Sequence, residues 1–379
     1  MKKTLFITKY FPPMIGGAIR WYEEVYKRYP VGKAFILTQE YNNYQIFDNQ
    51  YPAPVIRTKE WGEPSIHPKF IDKYKIIYKA AKDIIKSQHI ELLHADNAIP
   101  SGLVALILSK KFKINYVLYA HGEEIVLYSR FFPEKYVSPY VYKHAKAVIA
   151  NSSFTVNLLK NIGVKEQNIH LIHPGVDTKH FNPNLDVSRL KIKYNLVDKK
   201  IIVTISRLQE RKGQDYVIKA MPLVLKEIPN AHYLIVGDGE EKPRLETLVK
   251  DLGLKDKVTF VGFVKEEELP YYYNLSDVFI LANRITNTND VEGFGMVFIE
   301  ANACGKPVIG GKTGGAVDAI IEGETGLFVN PTDEKDIADK IIYLLKDVDK
   351  AKEMGEKGRK RAIEEFGWDN IAKKIQVLG

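Results

Sequence analysis

The sequence predicts an α/β chain made of two doubly wound parallel sheets. Three observations predict it. Short β-branched runs alternate with helical patterns from one end of the chain to the other. A polar stretch containing Pro174, Gly175 and Pro183, within residues 173–199, divides that alternation in two. The length of 379 residues exceeds what one hydrophobic core usually organises.

Taken in order, strands are expected at residues 4–8, 34–38, 92–95, 116–120 and 147–151. They recur at 201–206, 233–236, 258–261, 278–281, 307–309 and 327–329. Helical patterns at 18–29, 215–228, 242–252 and 334–346 lie between them, as βαβ units require. The expected domains are residues 1–183 and 184–366, followed by a last helix in 367–379. The apolar run after Met1 is too short for a secretion signal and is broken by Lys9, so it reads as a first strand. No run of about 18 apolar residues is present, so no membrane-spanning helix is expected. Cys304 is the single cysteine, which excludes an internal disulfide and suits a reducing, cytoplasmic setting.

Charge is unevenly spread. Residues 1–183 hold 25 Lys and Arg against 15 Asp and Glu, so the first half carries the whole net excess of +8. Much of it lies in residues 69–86, where Lys73, Lys75, Lys79, Lys82 and Lys86 alternate with isoleucines as a basic amphipathic helix. One reading is a surface helix docked on a sheet. The other is attraction to an anionic membrane surface or a lipid-linked acceptor, at the inner face of the membrane. The basic residues fit no nucleic-acid recognition motif, so no nucleic-acid partner is expected.

Two segments carry chemistry. In Glu292-Gly-Phe-Gly-Met-Val-Phe-Ile-Glu300, two carboxylates sit eight positions apart around a Gly-Phe-Gly turn. The glycines bring backbone N–H groups close to a ligand at a helix start, where the dipole favours an anion. Glu300 is expected about two turns into that helix, near the face of Glu292. Carboxylates flanking a bound anion suit the hydroxyls of a hexose and a ribose. In Ser206-Arg-Leu-Gln-Glu-Arg-Lys-Gly213, Arg207 and Lys212 leave a strand end and precede a helix, at the edge where open α/β sheets bind ligands. They suit a clamp on a diphosphate, with surface ion pairing to Glu210 as the other reading, while Arg211 is expected to be solvated. Gly237-Asp-Gly239 lacks the third glycine of a dinucleotide fingerprint, which argues against an oxidoreductase.

Together the Glu-x7-Glu and Arg-Leu-x3-Lys-Gly elements resemble family 4 retaining glycosyltransferases of the GT-B fold, in which two Rossmann-like domains face each other across a cleft. Gly16-Gly17, His121-Gly122, Asn151-Ser-Ser153, His173-Pro-Gly-Val-Asp177 and Val236-Gly-Asp-Gly239 follow the same order. Asp290-Val-Glu292-Gly-Phe-Gly, with the polar insert at residues 284–289, is most similar to the phosphatidylinositol mannosyltransferase group. The resemblance implies a hexosyltransferase using a nucleotide-sugar donor, a last helix crossing back to the N-terminal domain, and an acceptor docked on that domain. It implies that Gly16 and Gly17 approach the donor phosphate or acceptor, with a tight turn as the plainer reading. It implies that His121 contacts the hexose, that Glu292 binds its hydroxyls and that Glu300 binds the ribose. A helix-face pairing with a lysine is the other reading of Glu300. Backbone groups of Phe294, Gly295 and Met296 would hold sugar and phosphates. The base would lie by Val264 and Glu266. A carboxylate there matches the two N–H donors of guanine better than uracil, unless Glu266 only opens a helix. No Asp-x-Asp metal motif stands at a suitable strand end, so no cofactor or metal is expected, and GDP-mannose is the expected donor. UDP-sugar-dependent transfer, a sugar-nucleotide epimerase and a non-catalytic sensor are the alternatives. The acceptor is expected to be a lipid, a lipid-linked glycan or a polysaccharide precursor.

Overall fold

The computed structural model describes residues 1–61, 71–288 and 290–379. Its chain forms two compact units, Met1–Pro174 with Trp368–Gly379, and Gly175–Gly367. The division comes nine residues before the expected boundary at 183. Local packing gives the reason. Val176 pairs with Gly367 in an isolated bridge, and its N–H donates to the carbonyl of Phe366 at 2.9 Å. Phe181 is buried edge-on against Tyr273, so this stretch belongs to the second core.

The first unit holds seven parallel strands: β1 (Thr4–Ile7), β2 (Ala34–Gln39), β3 (Val55–Thr58), β4 (Leu92–Ala95), β5 (Asn115–Ala120), β6 (Ala147–Ala150) and β7 (Ile169–Leu171). They lie in the order β3-β2-β1-β4-β5-β6-β7. The edge strands β3 and β7 were not expected from the sequence. They are only half-buried, so they lack the continuous apolar run that marks a strand covered on both faces. The helix Ile71–Gln88 docks through Ile77, Ile84 and Ile85, as the surface-helix reading expects. Lys69 and Phe70 of that expected helix lie outside the described residues. The last helix, Trp368–Gln376, belongs to this unit and packs on the helix Gly17–Tyr26 through Trp368, Ile371 and Ile375. Arg28 Nε bonds Asp369 at 2.6 Å beside it.

The second unit holds β8 (Lys200–Ile205), β9 (Ala231–Val236), β10 (Val258–Gly262), β11 (Val278–Leu281), β12 (Val308–Gly311) and β13 (Gly326–Val329), all parallel, in the order β10-β9-β8-β11-β12-β13. All six coincide with expected strands to within a few residues. In both sheets the strand order reverses once, between β1 and β4 and between β8 and β11. Connections leave those neighbours in opposite directions and open a crevice at their carboxyl ends, where doubly wound sheets take ligands.

Candidate active site

The loops that follow β8 and β11 meet at the crevice of the second sheet. Lys212 donates from Nζ to Glu292, and Arg211 donates from Nη1 to the same carboxylate oxygen at 2.8 Å. Arg211 Nε also lies 3.2 Å from Asp290. Arg211 is 6 % exposed and Lys212 is 8 % exposed. Arg211 is therefore not solvated as the sequence suggested. The arrival of the β11 loop buries it and supplies its two carboxylates. Arg207 lies exposed at the start of the same loop, and its charge bears on Lys212.

Burial alone would push the Glu292 carboxyl up. Lys212 and Arg211 outweigh it and hold the group down at about 2. Lys212 is driven the other way: burial lowers it, and Glu292 only partly restores it. The result is a carboxylate kept ionised out of bulk water, with two cations fixed beside it. Such a group can only accept hydrogen bonds, which suits a ligand presenting hydroxyls.

A second ion-pair network braces this one. Asp215, two residues past Gly213, accepts from Arg284 at 2.7 and 3.1 Å and from Arg244 at 3.2 Å. The backbone N–H of Arg284 donates to the carbonyl of Arg211 at 2.8 Å. The segment after β11 is thereby tied to the segment after β8. Gly213 lets them approach. It sits at φ 73°, and a Cβ there would strike the carbonyl of Ala282. Sequence reading missed Asp215 and noticed Arg284 only within the polar insert. Asn289 of that insert lies outside the described residues.

The helix that follows begins later than expected. Gly295 stands at φ 86° and the helix is Met296–Ala303, so Glu300 lies just over one turn in rather than two. The left-handed turn at Gly295 breaks the continuous helical advance that the eight-residue spacing assumed. A Cβ at Gly295 would meet the Phe298 ring, so that turn depends on glycine. No side chain caps this helix start, and its first N–H groups lack intrahelical partners, which is the setting that attracts an anion. Glu300 accepts from the Tyr273 hydroxyl at 2.6 Å, a partner the lysine-pairing reading did not include. Phe294 is buried edge-on against Phe366, so backbone groups there are more available than its ring, while Met296 is half-buried. Val264 packs partly buried against the second core. Glu266 opens the short turn Glu266–Glu268, and its carbonyl accepts from His180 at 3.2 Å.

In the first unit, His121 follows β5 at the carboxyl edge. Its Nε2 lies 2.5 Å from the Tyr22 hydroxyl, and its ring meets Trp21 edge-on. Its backbone N–H donates to Glu124 at 2.9 Å, and its carbonyl accepts from Asn151 at 3.2 Å. Burial pulls the imidazole down to about 4, against a smaller upward pull from Glu123, so it is neutral at neutral pH. Tyr22 engages Nε2, and among the described residues Nδ1 has no hydrogen-bond partner. Gly16 and Gly17 are exposed and open the helix Gly17–Tyr26, which has no side-chain cap; Gly16 at φ 168° is extended, a conformation open to any residue. Asp96, at the end of β4, was missed. It is buried and accepts from Thr8 Oγ1 at 2.9 Å, from the Lys9 N–H at 3.1 Å and from Ser101 Oγ. It joins the loops after β1 and β4 where the first sheet reverses. Burial pushes its carboxyl up to about 6.

Residues 46–180 match the family model described as Glycosyltransferase Family 4, and residues 187–361 match Glycosyl transferases group 1. The chain is 30% identical over 380 residues to the GDP-mannose-dependent alpha-(1-6)-phosphatidylinositol monomannoside mannosyltransferase of Mycobacterium tuberculosis, covering 99% of this chain and 97% of that protein. The GDP-mannose-dependent monoacylated alpha-(1-6)-phosphatidylinositol monomannoside mannosyltransferase of Corynebacterium glutamicum is 28% identical, with the same coverage. Among solved structures, Anabaena HepE in complex with UDP matches with a TM-score of 0.83 at 23% identity, covering 99% of this chain and 98% of that one. Its likeness is one of fold. With full-length relatives in one family and matched models in both halves, the chain belongs to the family 4 glycosyltransferases of the GT-B fold.

Proposed function

We propose that this glycosyltransferase moves mannose from GDP-mannose, with retention at the anomeric carbon and without a metal ion, to a hydroxyl of a lipid, lipid-linked glycan or polysaccharide-precursor acceptor. The observation that carries the donor-site reading is the meeting of Lys212, Arg211 and Glu292 beside an uncapped helix start at the reversal of the second sheet. The full-length relatives named as GDP-mannose-dependent support the choice of donor.

In this reading Arg207 and Lys212 meet the diphosphate, with the N–H groups at 294–296. Glu292 accepts hydrogen bonds from the hexose, and Glu300 accepts them from the ribose. Negative charge grows on the diphosphate as the anomeric bond breaks. Fixed cations and N–H dipoles stabilise that charge most at that moment, and they need no reorganisation to do so. The acceptor hydroxyl attacks from the face that the diphosphate leaves, and a phosphate oxygen takes its proton. His121 and the Gly16–Gly17 turn are the parts of the first unit assigned to substrate. As a neutral imidazole, His121 offers Nδ1 to a sugar hydroxyl.

The test is a thermal-shift series with GDP, GDP-mannose, UDP and UDP-glucose, followed by product analysis with donor alone and with mannosyl-acceptor lipids. A ligand that binds the folded chain raises its melting point by mass action. Stabilisation by the guanine ligands alone, with mannose appearing on lipid, is the expected outcome. HepE was solved with UDP, and a shift with uracil ligands alone would replace the donor while keeping the site. An epimerised sugar formed from donor alone would replace the reaction class.

A further inference from the structure

The first unit carries a basic aromatic face that the donor chemistry does not use. The helix Glu134–Lys143 buries Glu134, Ser138, Val141 and Tyr142. Its other side carries Tyr136 and Tyr140, in line with Phe132 ahead of the helix at four-residue spacing. Phe132 is 78 % exposed, Tyr136 is 63 % exposed and Phe131 is 52 % exposed. Their rings are not scattered singly. Phe132 meets Tyr136 edge-on at 6.1 Å, and Tyr140 lies 4.0 Å from His144.

Cations frame these rings. Lys135 stands over Tyr136, and Lys110 stands over Tyr140 while bonding its hydroxyl at 3.2 Å. Lys111 continues the face to Tyr78 on the helix Ile71–Gln88, bonding its hydroxyl at 2.9 Å. From Asn97 to Lys146 the chain holds seven Lys and Arg against Glu123, Glu124 and Glu134, and the last two of these carboxylates are buried. At the far end of the helix, Lys143, His144, Lys146, Ser109 and Asn168 line a polar cavity of about 320 Å³.

We propose that this face docks on an anionic lipid bilayer, with Phe131, Phe132 and Tyr136 seated among the headgroups and the Lys143–Lys146 cavity receiving a lipid phosphate. Each part has its reason. Exposed aromatic rings settle at the depth where water meets acyl chains. Lysine stems lie along apolar surface while their ammonium groups reach phosphates. A stripe this apolar has a cost in water, which insertion removes. The charge excess is one-signed, which favours an anionic partner. The face differs from the lysine-rich helix singled out in the sequence, where Lys75 pairs with Asp72 and the isoleucines serve the core. In purpose the inference rests on the lipid-acceptor reading above, because docking brings the enzyme to a lipid substrate. Its evidence is separate.

The experiment is co-sedimentation of the full chain with vesicles of equimolar phosphatidylcholine and phosphatidylglycerol, and with vesicles of phosphatidylcholine alone. Binding to the mixed vesicles, weakened by salt, is expected. The double substitution Phe131→Ser/Phe132→Ser should weaken it about tenfold or more, since two rings lose their burial. Lys135→Glu/Lys143→Glu should weaken it on the order of a hundredfold. These side chains are exposed, so both variants should keep the wild-type melting point and the wild-type shift with donor. Equal binding to both vesicle types, no binding, or full binding by either variant would overturn the proposal. So would preference for a single-stranded oligonucleotide, which would reassign the face. Vesicle binding without mannose transfer would sink the proposed function and leave this surface standing; transfer to a soluble acceptor without vesicle binding would do the reverse.

Discussion

Glu292 is a carboxylate that the fold keeps charged where charge is expensive. Its value of about 2 lies below the ordinary 4.5, so its contribution to stability is complete above about pH 4.5 and fades as pH falls toward 2. Replacing it by alanine would leave Lys212 and Arg211 buried without their shared partner. Breaking a buried pair this way costs roughly 3–5 kcal/mol. Glu292→Ala should therefore lower the melting point as well as transfer, and a wild-type melting curve would contradict the burial seen here. Glu292→Gln is the sharper catalytic test. It keeps hydrogen-bonding capacity and loses charge, and kcat should fall about a hundredfold, the scale of one lost electrostatic contact in a transition state. Unchanged kcat would remove Glu292 from the mechanism. Arg211 shows what residue-by-residue reading misses. As one more cation in a polar loop it looks solvated, and only its distant partners Asp290 and Glu292 reveal otherwise.

At the scale of elements, the segments after β8 and β11 behave as one brace. Asp215 and Arg284 are 69 positions apart and both nearly buried. Asp215→Ala should destabilise the chain by roughly 3–5 kcal/mol in denaturant unfolding. The double substitution Asp215→Ala/Arg284→Met should recover part of that loss, because no buried charge is then left alone. Strictly additive losses would mean that the pair does not interact. Arg284→Lys should fail to restore wild-type stability, since an ammonium cannot make the two-point contact of a guanidinium. Gly213→Ala tests the same brace through the backbone. The side chain would meet the Ala282 carbonyl at a left-handed φ, so a loss above the roughly 1 kcal/mol of an ordinary glycine replacement is expected, together with weaker donor binding in the thermal-shift assay. The helix start at Gly295 follows the same logic. An eight-residue count placed Glu300 two turns in, and one left-handed residue moved it to about one.

Across the whole molecule, buried imidazoles set the response to acid. Burial holds His94 at about 3 and His121 at about 4. Burial, with a smaller push from Lys199 and Lys257, also holds His232 at about 4. Each takes a proton near 6.5 once unfolded, so between those values the unfolded chain binds more protons and stability rises with pH. Asp96 acts in the opposite sense. Raised to about 6 from an ordinary 3.8, it holds a proton in the folded chain through that interval, so its own contribution falls as pH rises. Burial raises Glu23 and Glu124 in the same direction as Asp96. The three histidines move furthest, and the melting temperature should climb from pH 4 to 6.5. A melting temperature that falls over that interval would show the carboxyls in control.

The sequence by itself determined the two-sheet architecture and the chemistry available at strand ends. Both are local properties: a β-branched run followed by a helical period defines a βαβ unit, and the residue types in the next loop can be read directly. It also carried the family, because Glu-x7-Glu and Arg-Leu-x3-Lys-Gly stand in order along one chain. The edge strands β3 and β7 escaped, since half-exposed strands carry no continuous apolar run. The tertiary structure decided which charges meet. Strand order set β8 beside β11, and that neighbourhood turned Arg211, Asp215 and Arg284 from unremarkable polar residues into the supports of Lys212 and Glu292. It also decided which face of the helix Glu134–Lys143 looks outward, because helical spacing marks two sides and only packing chooses the one that is buried.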